Sequence, residues 1–527
     1  MFNNKVIPRD GIKGLKENFI PDLNSGFIVF LLALPLSLGI AKASDFPPLM
    51  GLITAIIGGV IGGLLSGSPL TIKGPAAGLI VIVVGAVADF GGGEIGWHMA
   101  CGAIVIAGMV QVLFGVFKFG KFTDIFPLSA VHGMLAAIGM IIILKQFPIL
   151  LGVDPKLMKG MSPLEIAAHF PNFAAHFNPI FTALGVVSLA IMLIWPTLKQ
   201  PILKKIPASL VVLLIAIPTS LFMDFKATQP PYELVKIGNF IDSIKINADI
   251  YGVKQWAVFV KYVIMMALVG SLEALLTVKA VDMMDPFKRK SNTNKDLIAI
   301  GFGNMIAGLL GGLPMISEVA RSSANVNNGG KTRWANVFHG LFILLFVIKA
   351  VDLIELIPNA ALAAMLISVG IKLAHPKEFV HMFQIGKEQL AIFLVTIFFT
   401  LYEDLLVGIF MGMALKIIIH VVNGVSIKEF FSSSIETSFH DGHYILKIEK
   451  SAVFTNFLKL KEQMEGIPVQ QRLTIDLTDV KLIDHNVMSN IDLFGQEYIS
   501  SGGTFEIIGL ENKKGLSNHP LSTRKLK

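Results

Sequence analysis

Two breaks containing glycine and proline interrupt hydrophobic stretches at matching places in the two halves of the first 425 residues. The first is Gly74-Pro75-Ala76-Ala77-Gly78 and the second is Gly311-Gly312-Leu313-Pro314, and a short helical stretch follows each. A helix that begins inside a membrane leaves its first N–H groups unpaired, at the positive end of its dipole. Two such helix starts that face each other could bind an anion. The alternative is that these residues only kink packed membrane helices.

A carboxylate lies in the middle of another apolar stretch. Glu273 is part of VIMMALVGSLEALLTVKAV, where a charged side chain is costly and indicates a functional site. Thr277 follows one helical turn later on the same face. The two side chains could hold Na⁺ through their oxygen atoms, or Glu273 could carry a proton. A structural hydrogen bond from Glu273 to a neighbouring helix is the alternative.

An acidic and a basic side chain follow the second break, in LPMISEVARSSAN. Arg321 could place positive charge beside a bound anion, whereas Glu318 would repel an anion unless it is protonated or paired. The alternative is that Glu318 and Arg321, three residues apart, form an ion pair that only stabilises the helix. The two readings are compatible, since such a pair could open when the anion binds. The predicted anion site comprises Gly74, Pro75, Ala76, Ala77, Ser317, Glu318, Val319 and Arg321, with Glu273 and Thr277 predicted to couple an ion.

Repeated hydrophobic segments must position these residues. Segments near the roughly 20 residues that cross a bilayer recur throughout residues 1–425. We predict fourteen spans, of which the third and tenth are too short to cross as simple helices: 24–42, 49–67, 76–89, 97–117, 127–147, 177–195, 207–224, 255–281, 293–312, 316–328, 334–351, 355–373, 388–402 and 404–424.

Composition supports a membrane protein. Of the 527 residues 53% are apolar and 15% are charged, against about 25% charged in soluble domains. These values exclude a disordered chain, a disulfide scaffold and a typical cytosolic enzyme. The single cysteine, Cys101, excludes a disulfide within the chain. Nucleophile motifs, phosphate-binding glycine-lysine loops and Cys/His metal clusters are missing from the sequence, so we predict no enzyme activity, no metal site and no cofactor other than H⁺ or Na⁺ as a coupling ion.

Charge is distributed unevenly between the two parts of the chain. Residues 431–527 hold 11 basic and 12 acidic residues, and the first 430 hold 33 and 25. Basic residues also cluster in alternate loops of the hydrophobic part, which is typical of cytoplasmic loops and not of nucleic-acid binding. We therefore predict a multi-pass protein of the inner or plasma membrane with both termini in the cytoplasm. The predicted domains are a cytoplasmic segment 1–20, a transmembrane domain 21–425 and a soluble domain 430–527.

The tail alternates strand-like and helix-like stretches. HYILKIEK, RLTIDLTDV and TFEIIGL are typical of strands, and FTNFLKLKEQMEG and NVMSNIDLFGQEYISSG of helices. This alternation predicts a small α/β domain. Residues 512–527 are polar and basic, and we expect them to be a frayed end.

The order of these motifs resembles the sulfate permease (SulP) family of inorganic-anion transporters over nearly all of the chain. The resemblance lies in PDLNSGFIVFLLALPLSLGIA, GSPLTIKGPAAG, GSLEALLTVKAVD and GFGNMIAGLLGGLPMISEVARSSANVNNGGKT, and the tail resembles a STAS domain. It implies inverted repeats of seven plus seven spans, divided into core and gate domains, usually in a dimer. It also implies an anion held between half-helices 3 and 10 and moved by an elevator-like shift.

By position, the resemblance assigns ion coupling to Glu273, Na⁺ binding to Thr277 and the anion to Arg321. Glu318 departs from the family, since many relatives have a small residue there, and Val319 stands where Na⁺-dependent bicarbonate transporters have a hydroxyl. In the tail, His485 and Asn486 follow Asp484 at the place where related regulators present a phosphorylated serine, which argues against such a switch.

These observations predict a secondary transporter that carries bicarbonate or sulfate by symport with H⁺ or Na⁺. Its predicted partners are a small inorganic anion, the lipid bilayer, a second copy in a homodimer and a cytoplasmic protein bound by the STAS domain. Two alternatives stay open. One is a dicarboxylate or nucleobase carrier of the same fold, and in the nucleobase form Glu273 and Glu318 could grip the N–H groups of a neutral ring. The other is a membrane anion sensor that signals through its STAS domain.

Overall fold

The computed structural model describes residues 7–121, 126–158, 161–200, 203, 206–230, 233–238, 240–403, 405–432 and 434–527. Within them helices dominate up to residue 422. These are α1 Gly11–Ala43, α2 Pro48–Ile57, α3 Gly63–Leu65, α4 Ile80–Asp89, α5 Gly93–Val116, α6 Leu128–Leu150, α7 Pro163–Ala168, α8 Phe170–Ala175, α9 Pro179–Ile194, α10 Ala208–Phe222, α11 Phe225–Thr228, α12 Phe240–Ser243, α13 Trp256–Met284, α14 Thr293–Leu309, α15 Val319–Asn327, α16 Trp334–Lys349, α17 Val351–Ile354, α18 Asn359–Leu373, α19 Pro376–Ile385, α20 Lys387–Tyr402 and α21 Leu405–Val422.

Every one of the fourteen predicted segments contains a helix. Eight helical stretches within the described residues are long and apolar enough to cross a membrane, judged by length and composition. The third and tenth segments are short as predicted, because α4 has ten residues and α15 has nine. The chain is therefore a multi-pass membrane protein. Its arrangement as inverted repeats stays a prediction.

Residues 1–120 and 138–373 form one compact unit. Glycines allow its helices to approach closely: a Cβ added at Gly301 on α14 would lie 2.6 Å from the carbonyl oxygen of Gly108 on α5, and one at Gly59 would lie 2.5 Å from the Cα of Gly340 on α16. No real Cβ contact is that short. The many glycines of this unit thus include several that only glycine can occupy without moving backbone.

Two short strands lie in the same unit, one at each break in the helical pattern. Strand β1, Lys73–Pro75, and strand β2, Met315–Ser317, pair antiparallel, with Gly74 opposite Ile316. All six residues are buried. Gly311 takes a φ of +88°, a backbone conformation that favours glycine and ends α14 sharply.

Residues 121–137 and 374–527 form the second compact unit, which joins α19, α20 and α21 to the tail. The tail adds α22 Phe457–Glu465, α23 His485–Ser500, β3 Ser434–His440, β4 His443–Ala452, β5 Arg472–Asp476, β6 Val480–Ile483, β7 Thr504–Ile508, β8 Lys513–Gly515 and β9 Arg524–Leu526. Its sheet has the order β7-β5-β4-β6-β9-β8, with β3 pairing β4. The predicted strands and helices are confirmed, and this α/β architecture is consistent with a STAS domain.

The expected frayed end at 512–527 is wrong. Strand β9 pairs antiparallel with both β6 and β8, so the chain end belongs to the sheet. Ser522 and Thr523 are buried, and the Gln389 amide of α20 donates to the Thr523 hydroxyl at 3.4 Å. Polar composition was misleading because these backbone and hydroxyl groups find partners inside the unit.

Candidate anion site

The β1–β2 pair brings the two short helices together at their N-termini. Beyond the paired residues, the Ala76 N–H donates to Pro314 O at 3.2 Å and the Glu318 N–H donates to Ile72 O at 2.9 Å. Broken backbone inside a membrane requires such partners, since lipid supplies none. The strands are antiparallel, and each runs directly into a helical segment. The segment from Ala77 and helix α15 therefore start on the two sides of the β1–β2 pair, and we call this place the crossing.

Two glycines of the first break lie against charged side chains of the other elements. A Cβ at Gly74 would lie 2.0 Å from Nη1 of Arg321, and a Cβ at Gly78 would lie 2.0 Å from Oε1 of Glu273. Both positions therefore have to be glycine if the charged groups are to stay where they are. The spacing of four residues places one glycine at the strand and the other on the first helical turn.

Arg321 is the principal positive group of this crossing. It is 1% exposed, and its Nη2 donates to the Ser37 hydroxyl of α1 at 3.3 Å. Its Nε and Nη1 have no hydrogen-bond partner among the described residues. Buried guanidinium nitrogens without partners are costly, so they indicate a place where an acceptor is expected. Their position beside two helix starts is suited to an anion.

Glu318 is the first residue before α15, but its side chain does not cap that helix. Its Oε1 accepts a hydrogen bond from the Ala77 N–H of the facing helical segment at 3.2 Å. Neither Glu318 nor Arg321 is among the ion pairs within 4.0 Å that the described side chains form, and the two side chains bond to different groups. The i,i+3 pair that was the alternative to a functional role is therefore not a direct contact in this conformation.

Glu273 and Thr277 lie on α13, which packs against β2, α15 and the turn Ala77–Leu79. They are 7% and 2% exposed. Oε1 of Glu273 has no hydrogen-bond partner within the described structure. A carboxylate oxygen that is buried and unpartnered is suited to a proton or a small cation. The structure thus brings Glu273 to the crossing, with Thr277 one turn further along the same helix.

The other predicted site residues have more varied surroundings. The Ser317 hydroxyl donates to Asp296 at 3.1 Å, so it is already engaged. Val319 is 49% exposed and belongs to the first turn of α15. Pro75 ends β1, and the N–H of the following Ala76 is bonded to Pro314. Among the predicted backbone positions, Ala77 is the one whose amide reaches a charged group.

A fully buried ion pair beneath the crossing was missed by the sequence analysis. The Lys73 ammonium lies 2.8 Å from Oδ1 of Asp296, and both side chains are 0% exposed. Lys73 also donates to the Ser66 and Thr71 hydroxyls. Asp296 accepts from Ser317, so the pair ties β1 to β2 through side chains. The signal was present, because a lysine directly before Gly74 is another charge in an apolar region.

The fold and this site define a class: a multi-pass membrane protein in which two broken helices meet around buried charges. The model of the sulfate permease family matches residues 19–396, and the chain belongs to that family. YvdB of Bacillus subtilis is 28% identical over 415 residues, which are 77% of this chain and 74% of YvdB. The bicarbonate transporter BicA of Picosynechococcus is 25% identical over 75% of this chain and 69% of its own length.

Solved structures agree on the fold. The transmembrane domain of a cyanobacterial bicarbonate transporter BicA covers 74% of this chain and 97% of its own length, with a TM-score of 0.65 and 23% identity. The murine Slc26a9 anion transporter in an inward-facing state covers 93% of this chain and 85% of its own, with a TM-score of 0.66 and 16% identity. The expected family and the transporter fold are therefore confirmed.

Proposed function

We propose that this chain is a secondary active transporter of a small inorganic oxyanion, bicarbonate or sulfate, and that it works by symport with H⁺ or Na⁺. One observation carries the proposal: a buried guanidinium, two of whose nitrogens have no partner among the described residues, lies where two helix N-termini meet. The names of relatives, among them BicA and the high affinity sulfate transporter 2 of Stylosanthes hamata, support this choice of anions.

The anion would lie between the start of the helical segment at Ala77 and the start of α15. Arg321 would supply the charge, and the uncapped first N–H groups of α15 would donate hydrogen bonds. Glu273, whose Oε1 is unpartnered, would take the coupling proton or contribute to a Na⁺ site with Thr277. An elevator-like movement of the part that carries this crossing would then expose the anion to either side of the membrane.

The proposal extends to the setting of the protein. We place it in the inner or plasma membrane as a homodimer, with both termini and the STAS domain in the cytoplasm. The basic loops and the near-neutral tail support this orientation. A cytoplasmic partner of the tail is part of the same proposal.

Uptake of labelled bicarbonate and sulfate into proteoliposomes, with and without inward H⁺ or Na⁺ gradients, tests the function. We expect uptake of at least one of the two anions, stimulated by one of the two gradients. Failure of well-folded protein to take up either anion would refute transport. Competition by fumarate or uracil would indicate the carboxylate or nucleobase alternative, and binding without uptake would indicate the sensor.

The role of Arg321 has its own test and a matched control. We expect Arg321→Ala to weaken anion binding about tenfold or more, because it removes a buried charge beside the anion. Lys331→Ala removes a positive charge from the segment after α15, where the side chain is only half-buried, and should have a smaller effect. Equal small effects of the two substitutions would contradict a direct role for Arg321.

A further inference from the structure

Glu318 uses its carboxylate in an unusual way for a residue at the start of a helix. A side chain at this position normally accepts from an N–H group of the first turn of its own helix. Glu318 makes no such bond to α15, and its Oε1 instead accepts from Ala77 across the crossing. The chain's own carboxylate therefore occupies an amide at the start of the facing helical segment, which is one of the groups that an anion would use.

Other positive or hydrogen-bond-donating groups near this carboxylate do not bond to it. Arg321 directs Nη2 to Ser37 and leaves Nε and Nη1 without partners among the described residues. In the described part of the chain, no side chain caps the first turn of α15. These groups can accept a second anion, but the amide of Ala77 cannot serve that anion and Glu318 together. Two negative groups at one short crossing also repel each other.

We propose that Glu318 is a tethered competitor of the transported anion: its carboxylate holds Ala77 when the site is empty, and an oxyanion must displace it to bind. The inference rests on the proposed function and adds a residue that sets the affinity of the site. Because the competitor is covalently attached, its local concentration is fixed. It therefore lowers the affinity for every oxyanion that uses Ala77 by a similar factor.

Direct binding to the purified full-length protein tests this, with sulfate and bicarbonate as the probes in separate titrations. Glu318→Ala removes the competitor and should bind both anions about tenfold more tightly, which corresponds to about 1.4 kcal/mol. Glu318→Gln keeps the shape but loses the charge, so its affinity should lie between those of the wild type and the alanine variant. Glu94→Gln, a change of an exposed glutamate on α5, is the matched control and should leave both affinities unchanged.

The direction of the change decides the outcome. Weaker or unchanged binding of both anions to Glu318→Gln and Glu318→Ala would overturn the proposal, since a residue that supports binding loses affinity when it is removed. If the alanine variant does not fold, the nearly isosteric Glu318→Gln decides alone. If the wild-type protein binds and transports an anion but neither variant binds it more tightly, the competitor role of Glu318 is refuted and the proposed transport function is not. If the wild-type protein and both variants bind neither anion, the proposed function is refuted as well.

Discussion

Replacing Gly74 with alanine tests whether the guanidinium of Arg321 must lie against β1 for an anion to bind. The new Cβ would lie 2.0 Å from Nη1 of Arg321 and 3.2 Å from its Cζ. Ordinary contact begins at 3.4 Å, so the guanidinium would have to move by at least ~1.4 Å, the difference between 3.4 Å and 2.0 Å. Arg321 is 1% exposed, and a side chain buried to that extent has little free space to enter.

Two costs of this displacement can be separated. Extra volume in a packed interior costs about 1–3 kcal/mol of stability. A charge-assisted contact to the anion is worth about 1.5–3 kcal/mol, so its loss weakens anion binding by about 10- to 100-fold. We expect Gly74→Ala to fold with a lower melting temperature and to bind the anion correspondingly less tightly.

Anion titration of the purified variant measures the second cost, and a thermal melt without anion measures the first. Gly39→Ala is the matched control: Gly39 lies on α1 in the same unit, and its Cβ would meet only leucine side chains, Leu366 at 3.3 Å and Leu362 at 3.7 Å. That variant should bind the anion as the wild type does. A Gly74→Ala protein that is folded and binds with unchanged affinity would refute the claim that the Arg321 position sets anion binding.

Three further changes have defined outcomes. Glu273→Gln should abolish stimulation of uptake by H⁺ or Na⁺ gradients in proteoliposomes while leaving the fold intact, and unchanged stimulation would contradict the coupling role. Lys73→Met should destabilise the protein by about 3–5 kcal/mol in thermal melts, because it leaves Asp296 charged, buried and unpaired, and adding Asp296→Asn should restore part of that loss. Burial lowers the pKa of His485 in the tail to about 4 from 6.5, so the folded tail resists protonation and its stability falls as the pH drops from about 6.5 towards 4. Hydrogen exchange of α23, corrected for the intrinsic rate, should show this loss, and His485→Asn should remove it.

Hydrophobic segments could be predicted because burial in lipid requires a continuous apolar run of a fixed length. Each of the fourteen predicted segments contains a helix, and the two short ones are those that follow the glycine and proline breaks. The antiparallel pairing of β1 with β2 could not be predicted. Each strand has only three residues, and a run of that length carries no periodic pattern in the sequence.

The sequence could predict which residues belong to the candidate site, but not which groups those residues contact. A charge within an apolar stretch identified Glu273, Glu318 and Arg321, and the structure brings all three to one crossing. The same rule should have identified Lys73, which lies between two predicted spans, and Asp296, which lies within the predicted span 293–312. No sequence rule predicts that Glu318 reaches Ala77 across the crossing instead of bonding to Arg321, since that choice depends on the relative positions of two helices distant in the chain.

The contacts of Asp484 in the tail could not be predicted from the sequence either. This residue caps α23, with Oδ1 accepting from the Val487 N–H, and it also lies 3.2 Å from the Lys416 ammonium of α21. Burial alone would raise the pKa of Asp484, but the charge of Lys416 and the hydrogen bond with His420 hold it below its usual range. Asn486 accepts from Lys416 and donates to Phe126 O. The loop where related regulators present a serine is therefore occupied by contacts within this unit.

Charge balance at the crossing supports the symport that we propose. Arg321 shares the crossing with two carboxylates, Glu273 and Glu318, so these three groups sum to one negative charge when both carboxylates are ionised. A bicarbonate ion adds one negative charge and sulfate adds two, and repulsion in a poorly hydrated site grows with each. In the proposed symport, a proton or Na⁺ taken up with the anion would remove part of that excess. Glu273 would receive it at Oε1, which has no hydrogen-bond partner among the described residues.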